Sequence, residues 1–231
     1  SGLLTSLVIF FACNKGVFTM FIRFFFVIVL AVASTATHAS ISNSNDSTIL
    51  IIGDSLSAGL GVTYDQAWPS LLQNRLKKEG YPIQVLNAGI SGDTTSGGVQ
   101  RLPKLLDKYT PEIVVIELGG NDGLRGTSIK SIENNLRLMI ELALNYDAKI
   151  LLAGMQLPPN YGNVYATSFQ NIFPQLAIEY NIGLVERLIQ RMMDDAWEQR
   201  LMQGDGIHPN VEGHIQLEKI IWNSLKPLLE G

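Results

Sequence analysis

The chain has 231 residues, enough for one domain with a sizeable core. Its net charge is −4, and beyond residues 1–39, which hold Lys15, Arg23 and no acid, 15 basic residues stand against 21 acidic ones with no clustered basic stretch. That balance argues against a nucleic acid partner, and the single cysteine, Cys13, excludes a disulfide framework, a cysteine nucleophile and a cysteine-based zinc site from the folded part.

In chain order, Arg23 precedes the uncharged run 24–33 and then Ser-Thr-Ala-Thr-His-Ala at 34–39. A positive start, an apolar middle and a small-residue end read as a secretory signal peptide over about 20–39. Cleavage is expected after Ala39, with Ala36 as the second site. The expected location is therefore periplasmic or secreted, with no stable membrane span in the mature form. The rival reading is an uncleaved anchor, because the apolar stretches joined across Asn14-Lys15-Gly16 approach the roughly 20 residues a span needs. The polar break and the Ala-rich end favour processing. Met20 is the natural start, and residues 1–19 read as an upstream extension. Phe-Phe-Ala-Cys at 10–13 has Phe where a lipoprotein cleavage site has small or branched aliphatic residues. The polar segment 40–47 is expected to be a flexible lead-in to one domain over 48–231.

From there strands and helices alternate. Short β-branched or apolar runs predict strands at 48–52, 83–86, 113–118, 150–153 and 182–185. Apolar residues at three-to-four spacing predict helices at 65–79, 97–108, 128–145, 165–180, 186–196 and 211–228. Trp68, Leu71, Leu72 and Leu76 form the inner face of the first, Leu102, Leu105 and Leu106 of the second. Ser128 caps the third, and Pro174 marks a point where the fourth can kink. Such alternation predicts βαβ units, hence a three-layer α/β/α fold around a mostly parallel sheet of about five strands. In such sheets ligands bind beyond the carboxyl ends of the strands.

The segments at those ends are unusual. Gly53-Asp54-Ser55-Leu56-Ser57 follows strand one, and Asn87-Ala88-Gly89-Ile90-Ser91-Gly92-Asp93-Thr94 follows strand two. Gly119-Gly120-Asn121-Asp122-Gly123 follows strand three, and Asp205-Gly206-Ile207-His208-Pro209 lies near the end. A serine hydrolase needs a hydroxyl beside a base, a carboxylate behind that base, and donors aimed at the developing oxyanion. Ser55, at a strand-to-helix junction, is the candidate nucleophile. Asp205 and His208, three residues apart, are the candidate carboxylate and base. The N–H groups of Ser55 and Gly92 and the side-chain amide of Asn121 are the candidate oxyanion donors.

These four segments resemble the conserved blocks of the GDSL, or SGNH, hydrolase family, in which Ser, Gly, Asn and His come from four blocks in this order. The resemblance covers about residues 48–228 and is specific because four blocks recur in order, each of the first three after its own strand. Trp68-Pro69, Arg101-Leu102-Pro103, the run from Glu117 to Gly126 and Leu157-Pro158-Pro159-Asn160-Tyr161-Gly162 are similar to the bacterial subgroup described as arylesterase, acyl-CoA thioesterase I or lysophospholipase. The resemblance implies a serine esterase or thioesterase acting on acyl chains, with no cofactor or metal. Leu124, Leu157, Pro158, Tyr161 and Ile207 are the expected acyl groove. A monomer with a small-molecule acyl ester or thioester as substrate is expected.

Other readings attach to the same residues. Ser55 also suits a helix cap. Ser57 is a second hydroxyl, expected to point into the following helix. Asp54 is expected to tether neighbouring loops. His214 is expected on a helix surface. Asp205, His208 and His214 match no standard zinc spacing, and Asp122 with Asp205 would make a glycosidase carboxylate pair. Alternative functions are a carbohydrate O-acetyl esterase and a non-catalytic lipid- or carbohydrate-binding module. The α/β-hydrolase elbow G-x-S-x-G, a P-loop and a dinucleotide fingerprint are absent.

Overall fold

The computed structural model describes residues 47–194 and 200–230. The expected signal peptide, the extension before it and nearly all of the lead-in lie outside the described residues, as does the end of the helix expected at 186–196.

Five strands form one sheet: β1 (Ser47–Gly53), β2 (Ile83–Gly89), β3 (Ile113–Glu117), β4 (Lys149–Ala153) and β5 (Gly183–Val185). Their order is β2-β1-β3-β4-β5, and every pairing is parallel. The helices are α1 (Ser55–Ala58), α2 (Trp68–Glu79), α3 (Thr95–Tyr109), α4 (Gly120–Leu124), α5 (Ile129–Leu144), α6 (Asn163–Tyr180), α7 (Leu188–Asp194) and α8 (Val211–Glu230).

Strand residues alternate faces, so each strand feeds two cores. Leu50, Ile52, Val114, Ile116, Ile150 and Leu152 pack with Leu102 and Leu106 of α3, Leu136 and Ile140 of α5 and Phe173 of α6. Ile49, Ile51, Ile113, Val115 and Leu151 pack on the other face with Trp68 and Leu72 of α2, Met192 of α7 and Leu217 and Ile221 of α8. The central strands β1 and β3 are covered on both sides, which is why their sequences are continuously apolar rather than alternating.

The expected elements are all present, with shifted ends. Segment 65–67 is not α-helical: Tyr64–Gln66 is a 3₁₀ turn, and α2 starts at Trp68 with Pro69 in its first turn, where the missing N–H costs nothing. The β2 strand runs three residues past its expected end, to Gly89. Ser128 caps α5 by accepting from the Ser131 N–H, and α6 continues through Pro174. Two short helices, α1 and α4, were not legible from periodicity, since four or five residues span little more than one turn. Both begin within three residues of a strand end, at the carboxyl edge of the sheet.

Candidate active site

At the end of β1 the Asp54 side chain caps α1, accepting from the Leu56 N–H at 3.0 Å. Ser55 is therefore the first residue of α1 and not its cap. Its N–H, at the first position of a helix, has no intrahelical partner. Ser55 Oγ lies 3.0 Å from His208 Nε2. His208 Nδ1 lies 2.6 Å from Asp205 Oδ2. The other Asp205 oxygen accepts from the N–H groups of Ile207 and His208, which fixes the carboxylate behind the imidazole. The His208 side chain, and then those backbone donors, hold the Asp205 carboxyl well below the usual carboxylate range. The neutral imidazole that suits this geometry carries its proton on Nδ1, toward Asp205, and leaves Nε2 to accept from the Ser55 hydroxyl.

Asn121 lies in α4, whose entry is set by Gly119 at φ 121°, a backbone conformation open to glycine. One N–H of its amide donates to Asp54 Oδ2 at 2.9 Å, which orients the group and leaves the second N–H for another acceptor. Gly92 has φ 80°, and its carbonyl accepts from Arg125 at 3.0 Å. Asp54 thus joins the α1 and α4 segments, in line with its expected tethering role. Burial comes first among the causes that raise its carboxyl to about 6, against the lowering effect of its donors.

The roles of several supporting residues escaped sequence reasoning. Arg101, in α3, donates to the carbonyls of Ala88 and Gly53 and pairs with Asp93, so one guanidinium gathers the ends of β1 and β2 and the Gly92 loop. Gln203 donates to the carbonyls of Leu60 and Pro209, joining the loop after α1 to the histidine loop. Glu117 is fully buried at the end of β3 and accepts from Ser57 Oγ at 2.6 Å. A signal for Glu117 existed: it is the one charged residue in the otherwise apolar run 113–118.

Other expectations are corrected. Ser57 does not point into a following helix; it is completely buried and bonded to Glu117. His214 is not a surface residue but a buried one, and its Nδ1 accepts from the Trp68 N–H at 3.3 Å. Burial holds its imidazole down at about 4. Asp122 is buried and accepts from the N–H and hydroxyl of Thr95, so it fastens α4 to α3 and is not open to a substrate. Of the expected groove, Leu124 and Ile207 are exposed, Pro158 is exposed and Tyr161 is half-buried, its hydroxyl donating to the Leu124 carbonyl. Leu157 differs: it is 4% exposed and belongs to the core. A Cβ added at Gly123 would lie 2.7 Å from Leu157 and 2.9 Å from Phe169, which shows how closely α4 packs on that side chain.

Comparison with known proteins fits this geometry. Residues 51–215 match the model of the GDSL-like Lipase/Acylhydrolase family. The esterase TesA of Pseudomonas aeruginosa is 46% identical over 182 residues, 79% of this chain and 89% of that protein. The thioesterase 1/protease 1/lysophospholipase L1 of Escherichia coli K12 is 36% identical over 216 residues, 93% and 96% of the two chains. The crystal structure of the psychrotrophic esterase EstA from Pseudoalteromonas sp., inhibited by monoethylphosphonate, is 38% identical, with a TM-score of 0.75 over 80% of this chain and all of that one. With the sheet order, the four loops at its carboxyl edge and these matches in agreement, the chain belongs to the GDSL-like lipase/acylhydrolase family.

Proposed function

We propose that the chain hydrolyses carboxylic esters and thioesters of acyl chains through an acyl-serine intermediate, with Ser55 as nucleophile, His208 as base and Asp205 behind it. The observation that carries this reading is the pair of contacts from Ser55 Oγ to His208 Nε2, 3.0 Å, and from His208 Nδ1 to Asp205, 2.6 Å. The names of the relatives, an esterase and a thioesterase/lysophospholipase, support the substrate class. Ser55 Oγ attacks the acyl carbon while its proton passes to His208 Nε2. The resulting oxyanion is held by the N–H groups of Ser55 and Gly92 and the free N–H of Asn121. Collapse expels the alcohol or thiol, which takes the proton from His208. Water then attacks the acyl-serine, gives its proton to His208, and the acid leaves as that proton returns to Ser55.

The Ser55→Ala variant tests the assignment. It should fold as wild type and lose p-nitrophenyl butyrate hydrolysis by a factor on the order of 10⁴–10⁶. Near-wild-type rates would instead move the nucleophile elsewhere. The exposed Leu124, Pro158 and Ile207, with Tyr161, are the proposed acyl contacts. Leu157 is left out of that set, since it is buried beneath the loop. Export to the periplasm or beyond is our reading of the charged, apolar and small-residue pattern at 20–39, and monomeric activity our expectation. N-terminal sequencing of the expressed protein decides the first: a retained apolar N-terminus in the membrane fraction would favour the anchor. Sedimentation of the active protein decides the second.

A further inference from the structure

The mechanism above makes no use of Glu117, yet a fully buried glutamate at a sheet edge is a costly feature. It lies beside Gly53 in the β1–β3 register. Its Oε2 accepts from the Ser57 hydroxyl at 2.6 Å and from the Asp54 N–H at 3.3 Å, so it holds the residue before Ser55 and the residue two after it. Gly53 leaves the room for this contact: a Cβ there would fall 2.3 Å from Ser57 Oγ and 2.7 Å from Glu117 Oε2. The other oxygen, Oε1, is buried with no hydrogen-bond partner. Arg101, which gathers this junction, directs its guanidinium to the Gly53 and Ala88 carbonyls and to Asp93.

Two buried carboxyls therefore meet at the nucleophile turn. Asp54 has the better claim to the negative charge, because its two oxygens accept from the Leu56 N–H and the Asn121 amide. Glu117 has the Ser57 hydroxyl and the backbone N–H groups of Asp54, at 3.3 Å, and Ser57, none of which outweighs its burial, and it faces Asp54 as a like charge. Burial, with the Asp54 charge as second cause, raises its carboxyl well above the ordinary range.

We propose that Glu117 is a positioning residue that works as a neutral carboxylic acid, its Oε2 bracing the turn that carries Ser55 from both sides. Placed this way it fixes the Ser55 hydroxyl without adding a second anion beside Asp54. The inference rests on Ser55 being the nucleophile, and the Ser55→Ala control separates the two: activity in that control would remove the site, whatever Glu117 does.

The test uses Glu117→Gln and Glu117→Ala, with kcat and KM on p-nitrophenyl butyrate and infrared spectra of the carboxyl stretch at pH 7. Gln keeps the acceptor and the shape of a neutral acid. Its kcat should stay within about threefold of wild type, whereas Ala should lower kcat about tenfold or more at unchanged KM, since misplacing a reacting group by an ångström costs up to ~10²-fold. Wild type should show the stretch of a neutral, buried carboxyl, and Glu117→Gln should lack it. Equal losses in Gln and Ala, or a wild-type spectrum without that band, would overturn the proposal. If Glu117→Ala fails to fold, the Gln variant and the band decide alone.

Discussion

The two halves of the site solve one problem, holding a reactive atom still, in opposite ways. The nucleophile half is buried and assembled from distant parts of the chain: Asp54 meets Asn121, 67 residues on, and Ser57 meets Glu117, 60 residues on. The base half is local and open to solvent. Within residues 203–208, Asp205 accepts from the Ile207 and His208 backbones, the Gln203 N–H donates to the His208 carbonyl, and the Asp205 side chain is 44% exposed. Burial raises the Asp54 carboxyl to about 6, while the His208 side chain and nearby N–H groups lower that of Asp205. A carboxylate that orients its neighbour is costly in a dry setting and cheap in a wet one. Stability and activity are therefore expected to oppose each other in the nucleophile half and to be nearly independent in the base half.

The largest expected effect breaks the base half. His208→Ala should lower kcat on p-nitrophenyl butyrate by about 10⁴–10⁶-fold, with thermal unfolding close to wild type because the imidazole is held by hydrogen bonds to Ser55 and to the exposed Asp205 and not by the core clusters. A large fall in Tm would show the two halves to be mechanically coupled. Next comes Asn121→Ala, which should cost about 10²–10³ in kcat with little change in KM. A change confined to KM would place the amide in ground-state binding instead.

The sharpest contrast is Asp54→Asn. The amide can still cap α1, but it offers no second acceptor to Asn121, so kcat should fall by about 10–100-fold, the lower part of the range for losing an oxyanion donor. The fold should nevertheless gain stability at pH 7. A carboxyl raised from 3.8 to about 6 binds its proton more tightly in the folded state, so its contribution is full below the ordinary range and is lost as pH rises through 6. That rise corresponds to at most about 3 kcal/mol at pH 7. Urea unfolding at pH 7 checks it, and a less stable Asp54→Asn would refute the opposition of stability and activity in this half. Asp205→Asn should lose activity with almost no change in the same measurement.

Leu157 sharpens the line between site and core. Leu157→Ala should destabilise the protein by about 2–5 kcal/mol, as a buried leucine does, and lower kcat/KM evenly across acyl esters of four to twelve carbons. A loss that grows with chain length would return Leu157 to the groove. The smallest effect concerns acid. His214 is held neutral at about 4 against an ordinary 6.5, so its contribution to stability is complete above 6.5 and is lost as pH falls toward 4. Tm should drop more steeply over that window in wild type than in His214→Asn; parallel curves would show that His214 titrates without consequence.

The amino-acid sequence by itself determined the succession of strands and helices, the parallel α/β/α class and the four loops that meet at the sheet edge. Apolar periodicity and β-branched runs are local signals, and βαβ alternation leaves few topologies. It also determined the Asp205–His208 pairing, because a three-residue spacing closes without help from the rest of the fold. Only the tertiary structure decided which polar residues are buried. Ser57 and Glu117, Asp122 and Thr95, and His214 and Trp68 are partners separated by 27 to 146 residues. Their surroundings are set by strand order and helix packing, which no local pattern encodes. The same holds for Leu157, whose run of Leu-Pro-Pro reads as a loop rim until α4 and Phe169 close over it. Periodicity reports which face a residue lies on, whereas burial depends on what else in the chain comes to cover that face.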